Sequence, residues 1–313
     1  MIILKTTVAE PFPGNCEYLQ IASVNMAISH DPFVNLCNHD PLYRTFFDGT
    51  RTGKSNSHIQ MRLVLGKMPD LSRLQKLFDT RESWSMYGDD KGYWISFHPA
   101  FHSHPFWIAR FDRQASRAIV YCGSPLRAGG GKKINLDNPI CYPLDQLLVM
   151  YHLAYRDGVL VHAAGIDLGG RGLIFPGCSG AGKSTLARLF AASRVGKLLS
   201  DERVAVCRTG AEWQVFGTPW AGTEDIADNG CAPLAGMFLL KHGKRNHLRE
   251  LTAEIALERL LPILSIPWYD PDTMSRIVAF AKQLVAKVPA YEMSFKPDRS
   301  AVDFFRQFQK TQS

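Results

Sequence analysis

The chain has 313 residues, 46% of them hydrophobic and 21% charged, with a formal net charge of +7. This is ordinary globular composition, enough for one large domain or two smaller ones, and no apolar run approaches the ~20 residues of a membrane span. The positive balance favours anionic partners, but no block of like charges marks a nucleic-acid tail, so neither nucleic acid nor membrane is expected as a partner.

The first residues, "MIILKTTVAEPFPGNCEYLQ", lack a basic leader and a long apolar segment and do not read as a signal peptide. Seven scattered cysteines form no CxxC pair or ligand spacing, so they are expected as reduced thiols in a cytoplasmic protein. His102 and His104 in "FHSHPF" could share a strand face, but no third metal ligand accompanies them.

Residues 1–141 read as an N-terminal α+β domain. "DPFVNLCNHDPLYRTFF" (31–47) and "DLSRLQKLFDT" (70–80) are helix candidates, the second with Asp70 as its N-cap. "NSHIQMRLVLG" (56–66), "YWISFHPAF" (93–101), "HPFWIARFD" (104–112) and "RAIVYCG" (117–123) alternate like antiparallel strands. "SPLRAGGGKKINLDNP" (124–139) reads as a flexible loop or linker.

Residues 142–313 have a different pattern. "PLDQLLVMYHLAYRDG" (143–158) has helical periodicity with Gly158 as a stop. "VLVHAAGIDL" and "GLIFPG" read as buried strands joined at Gly169–Gly170, followed by a helix from Lys183 to about Ala192. "KLLSDERVAVC" gives one or two strands with a polar break, and "EWQVFGTPW" another. "PLAGMFLLK" and "RNHLREL" look like a paired strand unit. Helices at 252–264 and 271–287, a strand at "AYEMSF" and a helix from about Ser300 complete the pattern.

Between the "GLIFPG" strand and the following helix lies "GCSGAGKS" (177–184), which fits G-x-x-x-x-G-K-[ST] with the flanks that the motif needs. Glycines 177, 180 and 182 allow unusual backbone angles and close approach of amides to phosphate. Gly177, Cys178, Ser179, Gly180, Ala181, Gly182, Lys183, Ser184 and Thr185 are therefore the candidate nucleotide-phosphate site. Lys183 would bridge phosphate oxygens and Ser184 would ligate Mg²⁺.

Asp201 and Glu202 stand at the polar break of 197–207, where strand ends face a ligand crevice. Asp201 is assigned as base for an acceptor and Glu202 as the metal-site partner, both within reach of Mg²⁺. Adjacent extended residues point to opposite sides, so both need not touch the metal. His162, in the strand before the loop strand, is a candidate for a phosphate or acid–base contact. Thr218 and Gly217 of "FGTPWAG", and Lys241, Lys244 and Arg245, are further candidates near the nucleotide or acceptor.

"DGVLVHAAG", "GLIFPGCSGAGKSTLA", "LLSDERVAV", "GTPWAG" and "PLAGMFLL", in this order over roughly 145–297, resemble the HPr kinase/phosphorylase-like P-loop kinases. The nearest branch is the HPr kinase-related proteins of bacterial peptide-biosynthesis clusters, of lasso-peptide type. The resemblance implies an α/β fold of the HPr kinase/PEP carboxykinase type. It also implies Mg-ATP-dependent phosphorylation of a serine hydroxyl on a peptide or small protein, with ATP and Mg²⁺ as cofactors. An Asp-Asp pair follows the loop in that family; Asp201 matches its first member, the proton acceptor, and Glu202 stands at its second. Thr185 stands where HPr kinase proper has an acidic residue, and the phosphorolysis signature finds no match. HPr kinases form hexamers, which leaves a homo-oligomer open. The alternatives are a kinase for a free small alcohol and a nucleotide-binding regulator without transfer.

Overall fold

The computed structural model describes residues 15–47, 57–99, 102, 104–128 and 133–311. Among these the chain forms a mixed α/β structure of large sheets and few helices, in two compact units. The first draws on Met1–Leu19, Asn25–His39 and Gly49–Leu144; the second on Gln20–Val24, Asp40–Asp48 and Asp145–Ser313.

The strands of the N-terminal part are β1 (Asn15–Ile21), β2 (Val24–His30), β3 (Val34–Cys37), β4 (Ile59–Leu65), β5 (Gln75–Asp79), β6 (Trp84–Asp89), β7 (Gly92–Phe97), β8 (Trp107–Asp112), β9 (Arg117–Cys122), β10 (Arg127–Ala128) and β11 (Ile134–Asp137). Eight of them form a sheet in the order β1-β2-β4-β9-β8-β7-β6-β5. Alternation drives it: Val24, Met26 and Ile28 of β2 point inward while their neighbours are partly exposed.

Three expectations for this part are corrected. Residues 31–47 are not a helix. Val34 and Leu36 turn inward as a strand that pairs in parallel with β11, and Asp40 caps only a short 3₁₀ turn at Pro41–Tyr43. Residues 70–80 are not a helix either. The Asp70 carboxylate accepts from Ser72 N at 2.9 Å, closing a local turn, and Gln75–Asp79 is an edge strand on β6. The three-residue spacing of Leu71, Leu74 and Leu77 comes from a turn, in which Leu74 N donates to Leu71 O, followed by a strand with a bulge between Lys76 and Phe78. The 124–139 stretch is not simply a linker, because β10, β11 and β3 form a three-stranded sheet with Leu136 fully buried; 129–132 lie outside the described residues.

The C-terminal part continues with α1 (Leu144–Ala154), β12 (Gly158–Asp167), β13 (Gly172–Pro176), α2 (Lys183–Ser193), β14 (Lys197–Ser200), β15 (Arg203–Thr209), β16 (Glu212–Phe216), β17 (Cys231–His242), β18 (His247–Glu250), α3 (Ala253–Leu260), α4 (Pro271–Lys287), β19 (Ala290–Phe295) and α5 (Ser300–Thr311). The left-handed residue between α1 and β12 is Asp157, and Gly158 already belongs to the strand.

Two long strands organise this unit. The first half of β12 pairs with β15 and its second half with β13 and β14. The start of β17 pairs with β16, its middle with β13 and its end with β19. The path β13-β12-β15-β16-β17 therefore closes on itself through β13–β17. The expected pairing of "PLAGMFLLK" with "RNHLREL" is replaced: β19 lies between β17 and β18.

Two apolar clusters hold the unit together. Val159, Val161, Val204, Val206, Val215 and Met237 pack with Phe280 and Leu284 of α4. In the second cluster, Leu186 and Phe190 of α2 and Phe305 of α5 pack on Phe175 of β13 and Phe238 of β17. Phe305 meets Phe175 and Phe238 edge-on, with centroids 5.2 and 5.0 Å apart. Burial of each such side chain is worth about 1.5–3 kcal/mol, which fixes α2, and with it the end of β13, in place.

Candidate functional site: a glycine loop facing a carboxylate–imidazole pair

The loop 177–182 leaves β13 and enters α2. Gly180 and Gly182 have φ of 81° and 100°, backbone that side chains rarely adopt. A Cβ on Gly182 would lie 2.6 Å from Phe295 Cζ, so the aromatic core itself demands glycine there. Gly182 caps α2 without a side-chain acceptor, so no protein oxygen from the cap occupies the helix N-terminus.

A cleft of about 520 Å³ opens over this loop. Ser179, Gly180, Gly182, Lys183, Ser184 and Thr185 line it. Gly177, Cys178 and Ala181 build the turn instead: Gly177 N donates to His162 O at 3.3 Å and Ala181 N to Cys178 O at 3.1 Å. Lys183 is buried, and its ammonium donates to the carbonyls of Gly177 (2.8 Å) and Cys178 (3.3 Å). Burial pulls its pKa below the usual lysine value, opposed by the negative charge of Glu202.

β12 and the β14–β15 turn bring His162 and Glu202 into the same cleft, with His162 Nε2 2.8 Å from Glu202 Oε1. Burial, and then the charge of Lys183, hold the His162 pKa below its ordinary value, while Glu202 pulls the other way. The site thus gathers a cation, a carboxylate and an imidazole around a loop of amides.

Asp201 is not in the cleft. It is fully buried, and its carboxylate accepts from Gly222 N and Glu224 N, each at 2.8 Å. Of the two neighbouring acids, Glu202 is the one that lines the cleft. Thr218 is likewise buried, donating to Arg203 O at 2.6 Å, and Gly217 N bonds to Gly230 O. Lys241, Lys244 and Arg245 are solvent-exposed and do not line the cleft.

Sequence reasoning missed two parts of the site. Ala221, Gly222 and Thr223 form one wall, just beyond the residues that were singled out in "FGTPWAG". His242, at the end of β17, also lines the cleft, with Nε2 2.9 Å from Gly180 O. The parallel pairing of β17 with β13, the strand that runs into the loop, carries it there.

The residues present fit Mg²⁺ bound with a phosphate. Mg²⁺ ordinarily takes one or two protein oxygens and fills its sphere with phosphate oxygens and water, and the Ser184 hydroxyl supplies such an oxygen in the cleft. Among the described residues no cluster of three or more His, Cys, Asp or Glu could hold a metal alone, and all seven cysteines are free thiols. No helix among the described residues is long and apolar enough to cross a membrane. No family model matches the chain, and no curated protein is similar enough to count as a relative.

Proposed function

We propose that the protein is a Mg-ATP-dependent kinase of the HPr kinase/PEP carboxykinase type that transfers the terminal phosphate to a serine hydroxyl of a peptide or small protein. The observation that carries this reading is the glycine loop with buried Lys183 sharing one cleft with the Glu202–His162 pair.

Loop amides and the first turn of α2 would hold the triphosphate, and Lys183 would leave its carbonyl partners for phosphate oxygens. Ser184 would help to hold Mg²⁺, which would supply charge neutralisation at the phosphoryl oxygens. Glu202 is the acceptor base. Its Oε1 stands 2.8 Å from His162 Nε2, and its Oε2 takes the hydroxyl proton as the new oxygen–phosphorus bond forms and ADP departs. Asp201 shapes the wall that faces this step. A net charge of +7 suits an acidic acceptor.

The test is incubation with Mg-ATP and a serine-peptide library, read by mass spectrometry. The expected result is one added phosphate on a serine, with ADP release that depends on the peptide. Phosphate found only on small alcohols, or ATP binding without acceptor-dependent ADP release, would replace the reading with a small-molecule kinase or a regulator.

A further inference from the structure

The wall Ala221–Thr223 has no regular secondary structure, yet it borders Glu202 closely. A Cβ on Gly222 would stand 3.1 Å from Glu202 Cβ and 3.2 Å from Oε2. Something must hold this stretch, and two buried carboxylates do. Asp201 accepts from Gly222 and Glu224. Just before the wall, Trp220 Nε1 donates to Asp145 Oδ2 at 3.0 Å.

Asp145 lies in the first turn of α1, with no exposed surface. Tyr43 Oη donates to the same Oδ2 at 2.6 Å, and Gln146 N to Oδ1 at 2.7 Å. Burying a carboxylate costs free energy that an apolar side chain in this place would not. The proposed transfer step makes no use of it. What it does is orient one indole, and that indole is the residue from which the wall departs.

We infer that Asp145 is a positioning residue: by holding Trp220 it sets the Ala221–Thr223 wall, and through that wall the Glu202 carboxylate. The inference rests on the kinase reading for its effect on catalysis, but the anchoring itself is measurable without it.

The test compares Asp145→Asn and Trp220→Phe with Tyr43→Phe, which removes a donor from the same oxygen and leaves the indole bond in place. The readouts are hydrogen exchange by mass spectrometry and steady-state kinetics with Mg-ATP. In the first two variants, exchange at Gly222 and Glu224 speeds up, while the 183–190 segment is unchanged. Their kcat falls about tenfold to a hundredfold, as misplacement of a reacting group does, the KM for ATP stays within about twofold, and the pH profile of kcat shifts. Tyr43→Phe lowers stability and leaves kcat within about twofold. Unaltered exchange in the wall, or an equal loss of kcat in Tyr43→Phe, overturns the inference. Should the wild-type protein transfer no phosphate, the kinase reading falls, and exchange alone decides the anchoring.

Discussion

Lys183 holds a positive charge in a half-dry place, satisfied by two carbonyls of its own loop. Truncation to alanine removes the only cation lining the cleft among the described residues. Lys183→Ala is expected to weaken ATP binding beyond detection by calorimetry while the melting temperature is nearly kept. Glu202→Gln keeps the shape and the contact to His162 but cannot take a proton. Its kcat should fall by about 10²–10⁴ with the Mg²⁺ requirement unchanged; a large rise in the Mg²⁺ requirement would make Glu202 a metal ligand instead. Burial and Lys183 lower the His162 pKa while Glu202 opposes them, so any step of the pH profile of kcat that Glu202→Gln leaves in place and His162→Asn removes should lie below an ordinary histidine value. Lys183 and Ser184 were legible because a glycine loop of this spacing is a local motif. Asp201 against Glu202 was not: extended parity says that one of two neighbours faces the cleft, and only the hydrogen bonds of the 222–224 stretch say which.

The loop takes its shape from the elements around it. Gly182 sits over Phe295 of β19, and α2 is pinned by Phe190 against Phe175 and Phe305. Gly182→Ala meets both a positive φ and an aromatic ring. It should cost about 2 kcal/mol or more in chemical denaturation and weaken nucleotide binding as well. A neutral effect would mean that the loop is not held by the aromatic core. At this scale periodicity served well for β4, β7, β8, β9 and α4, where one face is buried. It failed at 70–80, where a turn at 71–74 and then a bulged strand space the leucines by three, and at 31–47, where Val34 and Leu36 alternate too briefly to stand out. It also could not order β17, β19 and β18, because the pairing of distant strands leaves no local trace in the chain.

Across the whole molecule, the unit that carries the cleft draws in Gln20–Val24 and Asp40–Asp48 as well as the C-terminal part. Tyr43 contributes to its interior through Asp145. Burial raises the Asp145 pKa to about 6, opposed by the hydroxyl and indole donors. The folded state therefore binds a proton that the unfolded chain has released, and stability from this group is lost as pH rises from about 4 through about 6. The loss is on the order of 3 kcal/mol, and Asp145→Asn should flatten that part of the pH–stability curve measured by denaturant unfolding. The glycine loop and the strand–loop–helix around it could be read directly. The closure of β13 on β17, which brings His242 to the loop, could not, since it depends on register between strands about 60 residues apart. The most direct measurement is calorimetric titration of Mg-ATP into the wild-type protein, Lys183→Ala and Glu202→Gln, each followed by assay of transfer to serine peptides. Binding in the wild type and Glu202→Gln but not Lys183→Ala, with transfer in the wild type alone, is the predicted pattern. Binding that survives in Lys183→Ala, or undiminished transfer by Glu202→Gln, would contradict it.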